Sequence, residues 1–390
     1  MAAHPILRGL PLFRPLIKRS ERITRERDKL QEKIEKLRKR IALKDQQIAN
    51  LEGRVAQLEG MKGVPPASPT VEGGVTPNSS NLIESFAEVK MPENSLEKPR
   101  FEKFPYAGPF PWLDQPDAEE QIDAKVAAGV LSEAEAGICR VWSREGYFVL
   151  KRALEPELLD EVWAAYEQAI ADGTVPLQPE SVTPDDPWPG RFLDVHLKVP
   201  AFCRVLRHPT LLAWVERLME RKPAPFQTIS SHKGSQQKEH SDSIHMTTYP
   251  IGYLSACWIA FEDIHPDSGP LVYYPGSHRW PYVFSHDVGI DEDDYRRTRF
   301  NAYHEKYEPH IQHMLTERQA RPHYFLAKKG DVLFWHANLI HGGSPRRDLR
   351  HSRRAMVNHY LVEGAVCYHD LSASNPKPYS GTCIVEAGRR

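Results

Sequence analysis

The apolar residues between positions 20 and 60 follow a heptad repeat. Isoleucine or valine occupies one core position of the repeat and leucine the other, and Lys44 is the one polar residue in this seam. β-Branched residues at the first position with leucine at the second favour a parallel two-stranded coiled coil. Residues 20–60 are therefore predicted to form a helix that joins two chains as a dimer; a single amphipathic helix packed on its own domain is the alternative. The seam consists of Ile34, Ile41, Ile48 and Val55 with Leu30, Leu37, Leu51 and Leu58.

The segments on either side of this helix have a different composition. Residues 61–105 are rich in Pro, Ser, Gly and Asn with few aromatic residues, which is typical of a flexible linker. Residues 1–19 mix apolar and basic side chains, and Pro11 and Pro15 interrupt the unbroken apolar run that a signal peptide needs. A basic, apolar tail of this kind would suit peripheral contact with an anionic membrane surface. A loosely ordered tail that docks on a partner is the alternative.

Residues 106–375 have the pattern of a globular domain, and residues 376–390 are left as a C-terminal tail. Helical periodicity over 131–144 and 156–171 flanks a short β-like run at 146–150. After residue 223 the chain changes to short segments rich in β-branched and aromatic residues and bounded by Gly, Pro or Asp. This order predicts a mainly β domain with flanking helices, a double-stranded β-helix (jelly-roll, cupin-like) barrel. The predicted strands are 226–232, 253–261, 271–274, 332–335 and 355–361.

Charge and cysteine content narrow the class of protein further. The 390-residue chain has a formal net charge of −1 and a pI near 7.0, so it lacks the basic character of a nucleic-acid-binding domain. Its five cysteines form no CxxC pair, which argues against a disulfide framework or a structural zinc site. Free buried thiols are typical of a reducing compartment, so a cytoplasmic location is expected. No apolar run is long enough to span a membrane.

Three residues in two separate motifs form a candidate metal site. In the extended chain around Ser241, His240 and Asp242 would point to the same face and hold one ion together. His341 follows the strand introduced by Gly330, about a hundred residues later, and supplies the third ligand. Two histidines and one carboxylate on one face of a metal, with the other positions open, is the arrangement used for Fe(II) and O₂ chemistry.

A positively charged side chain close to this site would select a second small molecule. Arg353 begins the strand that follows His341, and a hairpin between the two strands would bring its guanidinium near the metal. Arginine offers a planar, permanently charged fork for a carboxylate. A dicarboxylate cosubstrate could then chelate the iron through a 2-keto acid end while its far carboxylate pairs with Arg353, which leaves one metal position for O₂.

The chain from about residue 135 to 365 resembles the phytanoyl-CoA dioxygenase family of Fe(II)- and 2-oxoglutarate-dependent oxygenases. The resemblance rests on a series of motifs in the expected order rather than on the His-x-Asp triplet alone. They are SREGYFVL at 143–150, LEPELL at 154–159, His240-x-Asp242, ACW at 256–258, SGPL at 268–271, PGSHR at 275–279, the Gly330-Asp331 strand, His341-Gly342 and RRA at 353–355.

The resemblance implies roles for individual residues. His240, Asp242 and His341 would bind Fe(II), and Arg353 would bind the distal carboxylate of 2-oxoglutarate. Trp258 matches a tryptophan that lines the cosubstrate pocket. Ser344 lies near a family serine that hydrogen-bonds the cosubstrate, and Arg354 is the rival of Arg353 because the spacing from the histidine is one residue longer than in the family. With the carboxylate of the triad present, oxygen transfer to the substrate is expected, and desaturation or epimerisation stays open.

Two further histidines and one charged segment each have two possible interpretations. His245 is an alternative ligand or a substrate contact, and His278 is a substrate contact or a structural residue of the PGSHR turn. The charged segment from Asp291 to about residue 325 resembles an insertion, which would either cover the mouth of the site or form a solvated surface helix.

The substrate class is expected to be a small molecule or a glycan-linked group. A catalytically silent barrel that serves as a binding or scaffold module, and a zinc hydrolase, are the alternatives to an oxygenase; Arg353 argues against the hydrolase.

Overall fold

The computed structural model of the protein describes residues 70–72, 110–176, 182–371 and 377–378. The predicted coiled coil at 20–60 and the N-terminal tail lie outside the described residues, and those predictions stay predictions. Of the predicted linker, Thr70–Glu72 forms a strand, β1, that pairs in parallel with a strand of the globular domain.

Helices dominate the first part of the globular domain, as the sequence predicts. Helix α2 begins with a capping box, in which the Ser132 side chain accepts from the backbone of Glu135 while the Glu135 carboxylate accepts from that of Ser132. It ends at Gly146, whose left-handed φ of 76° is accessible to glycine at little cost. Helix α3 begins with Pro156, which suits the first helical position. The helices are α1 Ala118–Ala127, α2 Glu133–Glu145, α3 Pro156–Ala171, α4 Phe202–Leu206 and α5 Pro209–Met219.

The largest sheet has seven strands in the order β1-β2-β9-β6-β11-β4-β3, and all its pairings except that of β1 are antiparallel. It contains the segments predicted at 146–150, 226–232, 253–261, 332–335 and 355–361, with small differences at their ends, whereas the strand predicted at 271–274 belongs to a second sheet. Its strands after β1 are β2 Tyr147–Lys151, β3 Phe192–Leu193, β4 Pro223–Ser231, β6 Leu254–Ala260, β9 Val332–His336 and β11 Ala355–Val362.

Two three-stranded antiparallel sheets complete the β structure of the described residues. One has the order β10-β7-β8, with β7 Leu271–Tyr273, β8 His323–Phe325 and β10 His341–Gly343. The other has the order β13-β12-β5, with β5 Thr247–Tyr249, β12 Val366–Tyr368 and β13 Lys377–Pro378.

The large sheet is buried on both faces, and every residue of β6 is buried. The residues of β6 alternate between two cores, because successive side chains of a strand point to opposite faces. Cys257 and Ile259 face the core shared with the helices, whereas Ala256 and Trp258 face the β10-β7-β8 sheet. The rings of Trp258 and Phe325 lie 5.6 Å apart across this second core. Two facing antiparallel sheets with helices outside are consistent with the predicted jelly roll.

The segment predicted to be an insertion packs against the rest of the domain. It contains α6 Glu292–Thr298, a short π-helix at Tyr303–Tyr307 and α7 Glu308–Glu317. Its inner side buries an apolar cluster that includes Tyr307 and Ile311, so the segment is not a fully solvated helix.

Two further sequence predictions concern the cysteines and the possibility of a membrane span. The described cysteines, Cys139, Cys203, Cys257 and Cys367, are all free thiols. Among the residues that the structure describes, no helix combines the length and the apolar character needed to cross a membrane.

Candidate metal centre

The backbone joins the two candidate histidine ligands directly. The N–H of His240 donates to the carbonyl of His341 and the N–H of His341 donates to that of His240, both at 2.9 Å. Ser241 is extended, with φ −102° and ψ 150°, and Asp242 opens a 3₁₀ turn over Asp242–Ile244. Residues on either side of an extended residue point the same way, so Asp242 faces the same point as the two histidines.

The donor atoms of these three residues converge on one point. Oδ1 of Asp242 lies 3.8 Å from Nε2 of His240 and 3.7 Å from Nε2 of His341. The three ligand atoms all lie within 4.8 Å of one another, and all three side chains are buried. This is the one group of three or more histidine, cysteine or acidic residues within the described ranges that is arranged to hold a metal ion.

Hydrogen bonds set the tautomer of both imidazoles. Nδ1 of His240 is 2.8 Å from the Lys238 carbonyl oxygen, and Nδ1 of His341 is 3.0 Å from the Leu339 carbonyl oxygen. Because a carbonyl oxygen only accepts, each Nδ1 carries the proton and each Nε2 presents a lone pair to the common point. An imidazole held at one nitrogen by a backbone carbonyl is the usual arrangement of a metal-binding histidine.

The electrostatics of His240 and Asp242 suit a divalent cation. Burial, together with the neighbouring His341, lowers the pKa of His240 to about 4, so this imidazole is neutral at neutral pH. Burial by itself would raise the pKa of Asp242, but His341, His359 and His240 outweigh it and hold that carboxyl below its usual range. Neutral imidazoles and an ionised carboxylate are the forms that bind metals. The residues present therefore fit an Fe(II) ion of the two-histidine, one-carboxylate type.

The second oxygen of Asp242 has its own partners, which the sequence did not indicate. Nε1 of Trp335 donates to Oδ2 at 2.8 Å, and Nε2 of His359 lies 3.6 Å from the same atom. His359 lies in β11. Trp335 lies near the end of β9, shortly before His341 begins β10, and neither Trp335 nor His359 belongs to a recognisable motif.

The candidate ligands line a cavity between the large sheet and the facing sheet. Alternate residues of β11 point into it, which reflects the two-residue period of a strand. Lining side chains include Trp335, His359, Val357, Ala355, Trp258, Leu271, Arg353, Gln237 and Arg191.

Arg353 is buried in the wall of this cavity. Its Nη1 donates to the Gly269 carbonyl at 2.9 Å, and its guanidinium carbon lies 5.6 Å from the centroid of the Trp258 ring. Nε is buried and has no hydrogen-bond partner within the part of the chain that the structure describes. Burial, with a contribution from the nearby Arg346, lowers the pKa of Arg353 to about 10, so the group is still a cation at neutral pH.

Arg354 points away from the cavity. Its Nη2 lies 3.0 Å from Glu167 and its Nε 3.8 Å from Glu262, and its side chain is partly exposed. The predicted hairpin between the strands of His341 and Arg353 is wrong, because β10 pairs with β7 and β11 pairs with β4 and β6. Arg353 reaches the cavity from the opposite sheet instead.

Three further candidates lie outside the lining of the cavity. Ser344 donates its hydroxyl to the Pro270 carbonyl at 2.7 Å. His278 is buried next to Gly146, with Nε2 3.2 Å from the Ser143 carbonyl oxygen. His245 packs beside His240, with 5.7 Å between the ring centroids, on the side where Tyr303 of the insertion lies.

Two polar residues of the cavity wall were missed. Nη1 of Arg191 donates to the Gln237 side-chain oxygen at 2.8 Å, and the Gln237 amide nitrogen lies 3.1 Å from Nε2 of His240. Arg191 lies on a segment without regular pattern in the sequence, and its approach to the ligands depends on the fold.

Comparison with known proteins agrees with the resemblance. The family profile of phytanoyl-CoA dioxygenase (PhyH) matches residues 142–355, more than half of the chain. Phytanoyl-CoA dioxygenase domain-containing protein 1 of Mus musculus is 31% identical over 88 residues, which are 22% of this chain and 30% of the relative, so the match spans less than a third of that protein. Ectoine dioxygenase of Bordetella bronchiseptica is 24% identical over 249 residues, 60% of this chain and 80% of the relative.

Among solved structures, the non-haem alpha ketoglutarate dependent carbocyclase SnoK from nogalamycin biosynthesis superposes with a TM-score of 0.49 and 17% identity, over 66% of this chain and 96% of that one. The profile match covers both ligand motifs and ends just beyond Arg353. The chain belongs to the phytanoyl-CoA dioxygenase family.

Proposed function

We propose that this protein is an Fe(II)- and 2-oxoglutarate-dependent dioxygenase that hydroxylates a small-molecule or glycan-type substrate and releases succinate and CO₂. The observation that carries the proposal is that one cavity is lined both by the three convergent ligands and by the buried cation of Arg353. Family membership supports the same reaction class.

The residues of the cavity would have three roles. His240, Asp242 and His341 would hold the iron, and the bound iron would supply the one-electron chemistry that O₂ activation requires. Arg353 would bind the distal carboxylate of 2-oxoglutarate, since a buried guanidinium with an unused N–H gains most from an anion. Trp258, with its ring under the guanidinium, would keep that side chain in place and exclude water from it.

Anaerobic reconstitution tests this proposal. Purified protein is mixed with Fe(II) and 2-oxoglutarate, and the weak visible metal-to-ligand charge-transfer band is recorded. Air is then admitted, and succinate is measured with and without a pool of small-molecule substrates. We expect both the band and succinate with the wild-type chain, and neither with His341→Ala. Absence of both from the wild-type protein would contradict the proposal and favour a silent barrel.

Assembly and location are proposed on the sequence alone. Residues 20–60 would dimerise the chain, in a cytoplasmic protein whose N-terminal tail contacts anionic membrane surfaces. Light scattering of the full chain should give twice the monomer mass, and Ile41→Asp with Ile48→Asp should give the monomer mass, because charges in the seam oppose pairing. Sedimentation with anionic but not with neutral vesicles would support the membrane contact.

A further inference from the structure

Asp242 offers its two oxygens to two different surroundings. Oδ1 faces the two histidine nitrogens at 3.7 and 3.8 Å. Oδ2 points the other way, toward the large sheet, where Trp335 donates to it at 2.8 Å in a buried hydrogen bond. Since indole Nε1 can only donate, this contact engages one lone pair of Oδ2 for as long as the carboxylate stays in place.

The sheet is shaped to receive this oxygen. Trp335, Ala256 and His359 are paired in register across β9, β6 and β11. The small Ala256 therefore lies between two large side chains, and both of these reach Oδ2, at 2.8 Å from Trp335 and 3.6 Å from His359. Trp335 also packs against a second candidate ligand, with 4.7 Å between its ring centroid and that of His341. One buried side chain thus contacts two of the three ligands.

We infer that Trp335 is a positioning residue that restricts Asp242 to coordination through Oδ1 alone. An ion held by these three residues would keep its remaining positions open for the cosubstrate and O₂, and a carboxylate that chelated through both oxygens would take one of them. The inference rests on the proposed function for the identity of the metal and cosubstrate. The hydrogen bond that carries it is independent of turnover.

Loss of the indole N–H has two consequences that can be measured. If Asp242 swings away from the metal, the metal dissociation constant rises. If Asp242 instead chelates through both oxygens, 2-oxoglutarate loses a coordination position and its dissociation constant rises. Removing a hydrogen bond to a metal ligand typically weakens metal affinity by about 10- to 100-fold, and we expect a change of this size in one of the two constants.

The test uses the full chain with Trp335→Phe, which keeps an aromatic ring beside His341 but removes the donor. Co(II) affinity is measured by anaerobic equilibrium dialysis, and 2-oxoglutarate affinity by titrating the Co(II)-loaded protein and following its visible d–d absorption. Trp214→Phe is the matched control, because Trp214 is equally buried but belongs to the core on the other face of the sheet. It should lower stability without changing either constant.

A second variant removes the N–H with less change of shape. 3-Benzothienylalanine at position 335 keeps both fused rings and replaces the N–H by sulfur, so it preserves the packing if Trp335→Phe does not fold. Both dissociation constants within twofold of wild type in this folded variant would overturn the inference. That result would leave the dioxygenase proposal intact. A wild-type protein that binds Co(II) but gives neither the charge-transfer band nor succinate with Fe(II) and 2-oxoglutarate would contradict the dioxygenase and leave the role of Trp335 standing.

Discussion

Arg353 and Trp258 form a buried cation–π pair, with 5.6 Å between the guanidinium carbon and the ring centroid. The contact holds one of two consecutive arginines inward, in the wall of the cavity. The neighbouring Arg354 lies over a different ring, that of Trp163, at 5.8 Å. Two adjacent residues with the same charge therefore belong to opposite faces of the sheet.

Because only Arg353 faces the cavity, we expect substitutions of the two arginines to differ in their effect on 2-oxoglutarate binding. Arg353→Met should raise the dissociation constant of 2-oxoglutarate by about 30-fold or more, since removing one partner of a buried charge pair costs at least about 2 kcal/mol. Arg354→Met, which loses only partly exposed ion pairs with Glu167 and Glu262, should change it less than about threefold. Calorimetric titration of the metal-loaded protein measures both. The reverse order of the two effects would assign the cosubstrate to Arg354.

The insertion supports the loop that carries two of the ligands. The Tyr307 hydroxyl lies 3.3 Å from the backbone N–H of Ser241 and 3.4 Å from its side-chain oxygen. Lys238 pairs with Glu308 at 3.2 Å. Tyr307→Phe would leave the buried Ser241 N–H without this acceptor, so we expect the free energy of unfolding to fall by roughly 1–3 kcal/mol and Co(II) affinity to fall with it.

Denaturant unfolding and metal dialysis of Tyr307→Phe test this support. The control is Tyr324→Phe, because Tyr324 is 53% exposed on the edge strand β8 and should tolerate the change. Equal stability and equal metal affinity in the two variants would mean that the insertion packs on the loop without holding it.

Gly343 permits a close approach between β10 and the loop before His240. A methyl group there would meet the Ser235 hydroxyl, and it would lie 2.7 Å from the backbone nitrogen of Gln236. We expect Gly343→Ala to lower the free energy of unfolding by about 1–3 kcal/mol, as overpacking does, and to weaken Co(II) binding because the two ligand segments are pushed apart.

The matched control for Gly343→Ala is a second glycine-to-alanine change, which should raise the free energy of unfolding instead of lowering it. Gly137 lies inside helix α2 with open space around its Cα, so Gly137→Ala should raise the free energy of unfolding by roughly 0.5–1 kcal/mol through the loss of backbone entropy in the unfolded chain. Thermal and denaturant melts of both variants decide the matter, and a stabilising Gly343→Ala would refute the close approach.

His232 predicts a pH dependence of stability away from the metal site. Burial, together with Arg354, lowers its pKa from 6.5 to about 4; its ring also faces Trp163, Tyr166 and, at 3.9 Å, Glu167. Since the unfolded chain takes up this proton first, stability is full above pH 6.5 and falls as the pH drops from 6.5 toward 4. The loss attributable to His232 is at most roughly 3 kcal/mol.

His232→Phe keeps a ring in the pocket and removes the titration. The slope of unfolding free energy against pH between 6.5 and 4 should be smaller in this variant than in wild type. His351→Phe, a substitution at a partly exposed surface histidine, should retain the wild-type slope. An unchanged slope in His232→Phe would show that the buried histidine is not the titrating group.

The sequence was sufficient to predict the strands that carry the site. Short segments rich in β-branched and aromatic residues and bounded by Gly, Pro or Asp located β6, β9 and β11, because a strand leaves a pattern in its own residues. The ordered motifs located His240, Asp242 and His341, and the structure brings these three side chains to one point. Such features depend on residues that are close in the chain or on a spacing that the chain itself displays.

The contacts that cross between sheets could not be predicted. That Trp335 donates to Asp242 depends on how the 3₁₀ turn at 242 lies on the large sheet, and no local pattern encodes that placement. The choice between Arg353 and Arg354 depends on which residue of the pair enters the cavity, and this follows from the register of β11 with β6. The register is set by the packing of whole strands rather than by the two arginines.

The reciprocal hydrogen bonds between His240 and His341 close a chain segment of about a hundred residues through main-chain atoms alone. The entropy of bringing the two ligands together is therefore met by the protein's own β structure and not by metal affinity. A chelator should remove the metal while the domain stays folded, and the amide protons of both histidines should exchange slowly in the metal-free protein. The metal site would then be preformed, so its ion could be removed and replaced by a different one. A zinc finger differs in this respect, because its folding depends on its metal.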